Sequence, residues 1–108
     1  METTEKIYST LAENADFQEL VEMYVADVPE RIDAFQARLQ NQDWESIRVL
    51  AHQMKGSARG YGFGVVSDWA AELEFAVKEN GANVDSILPK FEQLINGLER
   101  VTDEVPVA

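Results

Sequence analysis

The chain has a single histidine, His52, in the stretch AHQMKGSARGYGFG, three residues before Lys55 and four before Gly56. A neutral imidazole is a nucleophile near neutral pH, and an ammonium close by offsets charge on an anionic group that it accepts. A buried histidine satisfied by a hydrogen bond is the plainer alternative, and helical geometry separates the two. At about 100° per residue, the stripe of Trp44, Ile47, Ala51, Met54 and Ala58 points roughly 140° away from His52. His52 is therefore expected to face solvent.

Gly56 follows on the same outer face, about 40° from His52. Helical side chains lean toward the N-terminus, so any side chain at position 56 would lie over the ring. A glycine inside a helix costs about 1 kcal/mol relative to alanine, and close approach by another molecule is the reason favoured here over close helix packing. Arg48 one turn before His52, Arg59 two turns after it and Lys55 on the flank add positive charge. No Asp or Glu occurs from Ser46 through Ser67, although the chain holds 20 acids. Such a cationic window suits a phosphoryl group or an acidic partner site. The helix dipole accounts for Lys55 and Arg59 near the C-terminal end, but not for Arg48 near the start.

The elements that must position these residues read as helices. Phe17, Leu20, Val21, Tyr24, Val28, Ile32, Phe35 and Leu39 recur every three or four positions and predict an amphipathic first helix. Asp16 and Glu19 resemble its capping box, and Pro29 is expected to kink it without ending it. Asp43 is expected to cap a second helix, which Gly60, Gly62 and Gly64 end in a tight reversal. A third carries Val66, Trp69, Leu73 and Val77 until ENGAN stops it. Asp85 is expected to cap a fourth, with Pro89 in its first turn and Ile87, Leu88, Phe91, Leu94, Ile95, Leu98 and Val101 inward.

Four helices with short connections imply an all-α, up-down-up-down antiparallel four-helix bundle, with a core spanning about residues 16–101. Residues 3–14, TTEKIYSTLAEN, are expected to add a short N-terminal helix docked through Ile7 and Leu11. The tail TDEVPVA is expected to fray, and no strand pattern is evident. Trp44, Tyr61 and Trp69 are read as core, not as a ligand box.

At 108 residues with 45% hydrophobic residues, the chain is expected to form one domain over 1–108. A net charge of -11 argues against nucleic acid or anionic membrane partners. With no cysteine, disulfides and thiolate chemistry are excluded. No run is long and apolar enough to span a bilayer, and the start has no basic, apolar secretion pattern, so a cytoplasmic location is expected. A Ser-His-Asp hydrolase would have to recruit Ser57 or Ser67, neither in a strained turn. A di-metal bundle needs paired Glu-x-x-His motifs, which are absent, so no metal site is expected. A helical adaptor, in which His52 is incidental, remains as an alternative.

His52, Lys55, Gly56, Ser57, Ala58 and Gly62, followed by WAAELE, resemble the hallmark of the histidine-containing phosphotransfer (HPt) domain family. The resemblance runs from about Phe17 to Leu98. It implies a phosphorelay carrier without autonomous kinase or hydrolase activity: the histidine becomes a phosphohistidine by taking the group from a response-regulator receiver domain and then passes it to another. No cofactor of its own is implied, since the receiver brings the magnesium. Lys55 would offset phosphoryl charge, and Glu74 matches the family position that orients the imidazole. Gln53 and Arg59 are expected rim contacts for docking. Lys78, one turn after Glu74, either supports the site or forms an i,i+4 surface bridge of about 0.3 kcal/mol. A glutamate at 74 also occurs in chemotaxis-type kinases, which leaves the donor open between a receiver and a hybrid sensor kinase. A chain with nothing appended is expected to shuttle between receivers as a monomer.

Overall fold

The computed structural model describes residues 5–81 and 83–107. Four helices follow one another: α1 (Gln18–Gln40), α2 (Trp44–Gly60), α3 (Gly64–Asn80) and α4 (Val84–Arg100). They form the expected all-α four-helix bundle. The core is built from Val21, Tyr24, Val28 and Phe35 of α1, the Ile47, Ala51, Met54 and Ala58 face of α2, and matching stripes of α3 and α4. The closest packing is between α2 and α3, the pair that carries the histidine and Glu74. Trp44, Tyr61 and Trp69 are partly buried against this core, and Tyr61 stacks on Tyr24 at 4.5 Å between ring centroids.

Several local expectations are corrected. Phe17 and Leu20 are exposed, at 40% and 44%, although they are in phase with the apolar stripe. α1 has 23 residues against 17 in each other helix, about 9 Å more at 1.5 Å per residue, and in its first turn only Val21 is buried. Asp16 and Glu19 form no capping box: α1 starts after Phe17 without a side-chain cap. Asn14 has already turned the chain, its Oδ1 accepting from the Asp16 N–H at 3.0 Å and its carbonyl from the Phe17 N–H at 3.0 Å. The helix does run on through Pro29. Asp43 caps α2 as expected, accepting from the Ser46 N–H. Asp85 does not cap α4. Asn83 stands at that position, with its carbonyl taking the Ile87 N–H, so Asp85 lies in the first turn and Pro89 about half a turn deeper than expected.

The N-terminal segment is not a helix. Ile7–Tyr8 (β1) pairs in parallel with Val101–Thr102 (β2), Ile7 opposite Val101 and Tyr8 opposite Thr102. The tail is accordingly tied down at its start: Lys6 bridges to Glu104 at 2.7 Å, and Arg100 Nη1 donates to the Glu5 carbonyl at 3.0 Å. A short segment gains more here from pairing with the end of α4 than from an isolated helical turn, whose nucleation is unfavourable. Residues 3 and 4 of the expected helix, Ala82 of ENGAN and Ala108 of the tail lie outside the described residues. Past β1, the Ser9 hydroxyl donates to the Tyr61 carbonyl at 2.7 Å, and the Thr10 N–H to the Gly62 carbonyl at 3.0 Å. Gly62 has φ +87°, and a Cβ there would lie 2.3 Å from Ser9 Oγ. Only glycine fits this reversal, on which the α2–α3 pair depends.

Candidate phosphohistidine site

On α2 the apolar stripe fixes the rotation of the helix, and His52 consequently projects outward with 63% of its side chain exposed. A Cβ at Gly56 would meet nothing within 4 Å, so the space beyond the ring is open. Toward α3 the ring is held: His52 Nδ1 lies 2.9 Å from Glu74 Oε2. Glu74 is only 4% exposed. Its other oxygen, Oε1, accepts from Lys55 Nζ at 2.8 Å, and Lys78 Nζ stands 3.5 Å from Oε2. The structure thus brings His52, Lys55, Glu74 and Lys78 into one cluster.

The electrostatics of the carboxylate decide the state of the imidazole. The hydrogen bond from Lys55 outweighs burial, and with the His52 contact and the charges of Lys55 and Lys78 it holds the Glu74 carboxyl at about 2, down from an ordinary 4.5. An ionised carboxylate only accepts hydrogen bonds, so Nδ1 is the donor. In the neutral ring, the lone pair is then on Nε2. A buried polar contact therefore fixes the tautomer, as partners behind a functional histidine commonly do.

The same depressed ionisation sets an expected acid response. The folded protein binds the Glu74 proton less readily than the unfolded chain, so the stabilisation is present above about pH 4.5 and is lost as pH falls through about 2. Glu74→Gln removes this titration. Chemical unfolding measured at a series of pH values will show a flatter dependence for the variant than for the wild type over that window.

The remaining expected site residues lie outside the cluster. Arg48 Nε donates to Glu45 Oε2 at 3.0 Å, and Arg59 Nη2 to Asp68 Oδ1 at 3.0 Å. The cationic window read from Ser46 to Ser67 is therefore corrected: Arg48, Lys55 and Arg59 are each paired with a carboxylate from outside it, Glu45, Glu74 and Asp68. Gln53 is exposed and turns toward α1, where it borders a groove of about 300 Å³ together with Asp27, Glu30, Ala34 and Leu50.

Two supporting residues escaped the sequence reading. The fully buried Ser67 donates its hydroxyl to the Lys55 carbonyl at 2.6 Å, tying the start of α3 to the turn that carries Lys55. The Tyr24 hydroxyl meets Ser57 Oγ at 3.0 Å and Met54 Sδ at 3.1 Å, linking α1 to the same stretch of α2. The available signal for Ser67 was its spacing: it lies seven residues before Glu74, so two polar residues share the α2-facing side of α3.

Among the described residues, no three His, Cys, Asp or Glu side chains group in a way that could hold a metal ion, and no helix is long and apolar enough to cross a membrane. No curated protein and no solved structure matches the chain. The family model of the Hpt domain matches residues 19–104, a span holding the four helices but for the first residue of α1, and every residue of the cluster. With that match over most of its length, this chain belongs to the Hpt domain family.

Proposed function

We propose that this protein is a monomeric, cytoplasmic phosphoryl carrier of a phosphorelay. His52 accepts the phosphoryl group from the aspartyl phosphate of a receiver domain, free or part of a hybrid sensor kinase, and passes it to the aspartate of another receiver. Hpt domains take part in phosphotransfer in two-component signalling and are carriers, not classical enzymes. The observation that carries the reading is the Nδ1 contact with buried Glu74 on a ring that is otherwise exposed.

In the transfer, the Nε2 lone pair forms a bond to phosphorus while the bond from phosphorus to the aspartyl oxygen breaks, and the carboxylate leaves. Positive charge develops on the ring, where the Nδ1–H bond to Glu74 stabilises it. Lys55 offsets charge on the phosphoryl oxygens. Gly56 leaves room for the visiting aspartate, and Gln53, Arg48 and Arg59 lie at the rim of the docking surface. Magnesium enters with the receiver.

Incubation of the purified chain with a panel of phosphorylated receiver domains tests this. Acid-labile, alkali-stable phosphate is expected on the chain, and it is expected to leave again when an unphosphorylated receiver is added. No transfer from any receiver would favour the adaptor reading instead.

A further inference from the structure

Lys78 sits on α3 one turn beyond Glu74, and nothing in the carrier chemistry above uses it. An ordinary i,i+4 pair on a helix surface contributes about 0.3–0.5 kcal/mol and has no bearing on reactivity. The partner of Lys78, however, is the buried carboxylate that also holds His52 Nδ1 and Lys55 Nζ. Two ammonium groups stand over one anion, one more than its neutralisation requires.

That surplus matters once a phosphoryl group arrives. A phosphoryl group carries about two negative charges, and Lys55, one turn after His52, is the cation placed to meet it. Yet a buried carboxylate deprived of its cation is strongly destabilised. Without Lys78, Lys55 would be bound to Glu74 and unable to serve the phosphoryl group. The geometry separates the two duties: Lys55 holds Oε1, whereas Lys78 stands on Oε2, the oxygen that accepts from the ring. Lys55 can leave Oε1 while the contact that fixes the tautomer stays in place. Both lysine side chains are partly exposed, at 39% and 52%, and both have flexible stems. Arg48 is no substitute, since it is tied to Glu45.

We propose that Lys78 is a positioning residue that keeps Glu74 compensated, so that Lys55 is released from Oε1 to the phosphoryl oxygens when His52 is phosphorylated. The inference rests on His52 being the acceptor. Lys78 itself forms and breaks no covalent bond and moves no proton.

A double-mutant cycle with phosphoramidate as donor tests this without any partner protein. In that reaction the Nε2–P bond forms, the P–N bond of the zwitterionic donor breaks, and neutral ammonia leaves. Lys78→Gln is expected to slow phosphoryl acceptance about tenfold, and Lys78→Arg to restore most of the rate. In a Glu74→Gln background the neutral amide needs no cation and Lys55 is already free. There, adding Lys78→Gln is expected to cost less than about twofold. The Lys55 ammonium ¹⁵N signal is expected to shift on phosphorylation in the wild type and to shift less in Lys78→Gln. Equal rates for wild type and Lys78→Gln would overturn the proposal while leaving the carrier reading intact. An equal loss in both backgrounds would overturn it too, by showing that Lys78 acts on the phosphoryl group directly. Failure of the wild type to accept phosphate would defeat the carrier reading itself.

Discussion

Replacement of His52 by glutamine is expected to abolish phosphoryl acceptance while leaving the protein folded. Nearly two thirds of the histidine side chain is in solvent, so the substitution opens no cavity and strands no core residue. Exposed substitutions away from caps and packing usually change stability by no more than about 0.5 kcal/mol, and the lost contact with Glu74 leaves that carboxylate with both lysines. Chemistry, by contrast, has no second outlet. This is the chain's only histidine, and glutamine offers no nitrogen lone pair for phosphorus. Labelled phosphate from phosphoramidate should fall to background in His52→Gln, with an unchanged melting curve by circular dichroism. Retention of acid-labile phosphate by the folded variant would remove His52 from the centre of the site.

Phe35→Ala is expected to have the largest effect on stability and little on chemistry in molecules that remain folded. Phe35 is 1% exposed and meets Phe91 edge-on at 6.1 Å between ring centroids, joining α1 to α4. Truncating such a residue costs about 3–5 kcal/mol through lost transfer energy and the cavity left behind. A domain of this size has about 5–15 kcal/mol in all, and each kcal/mol moves the melting temperature by about 4–8 °C. A fall of at least about 12 °C is therefore expected, and Phe35→Leu should recover most of it. The His52 cluster lies on α2 and α3, whereas Phe35 is on α1 and meets Phe91 of α4, so phosphoryl acceptance per folded molecule should be close to that of the wild type. A wild-type melting point for Phe35→Ala would show that α1 is not held by this contact.

Much of the fold was legible because apolar spacing is local information. The α2 stripe that sets helix rotation is one run of sequence, and it placed His52 outward and Gly56 beside it without reference to any other helix. Asp43 at the start of α2 and the ENGAN stop of α3, whose C-cap is Gly81, were readable for the same reason: a cap acts within a few residues of itself. The ends that went wrong involve competition. Asp16 lost to Asn14, which turns the chain two residues earlier, and Asp85 lost to Asn83. Both acids are ordinary capping types, and only the path of the preceding chain selects between neighbours. The β1–β2 pair joins residues more than 90 positions apart in two-residue strands, too short to leave an alternating pattern.

Charge partners divide in the same way. Glu45 and Arg48 are three residues apart on one helix and could have been paired from the sequence alone. The link from Arg59 to Asp68 crosses the reversal at Gly62, and that from His52 to Glu74 spans 22 residues. Family likeness pointed to Glu74, but spacing could not.

By itself, then, the amino-acid order determined four amphipathic helices, the outward histidine, the bare backbone one turn beyond it and the lysine at its flank. These follow from the 3.6-residue period, which acts within a single helix. Only the tertiary structure decided what stands behind the ring. Packing of α3 against α2 buries the Glu74 carboxylate within reach of the imidazole and both lysines, and those cations, outweighing the burial, keep it ionised as an acceptor that fixes the ring proton on Nδ1. That depends on the relative rotation of two helices, which no residue pattern within either one contains.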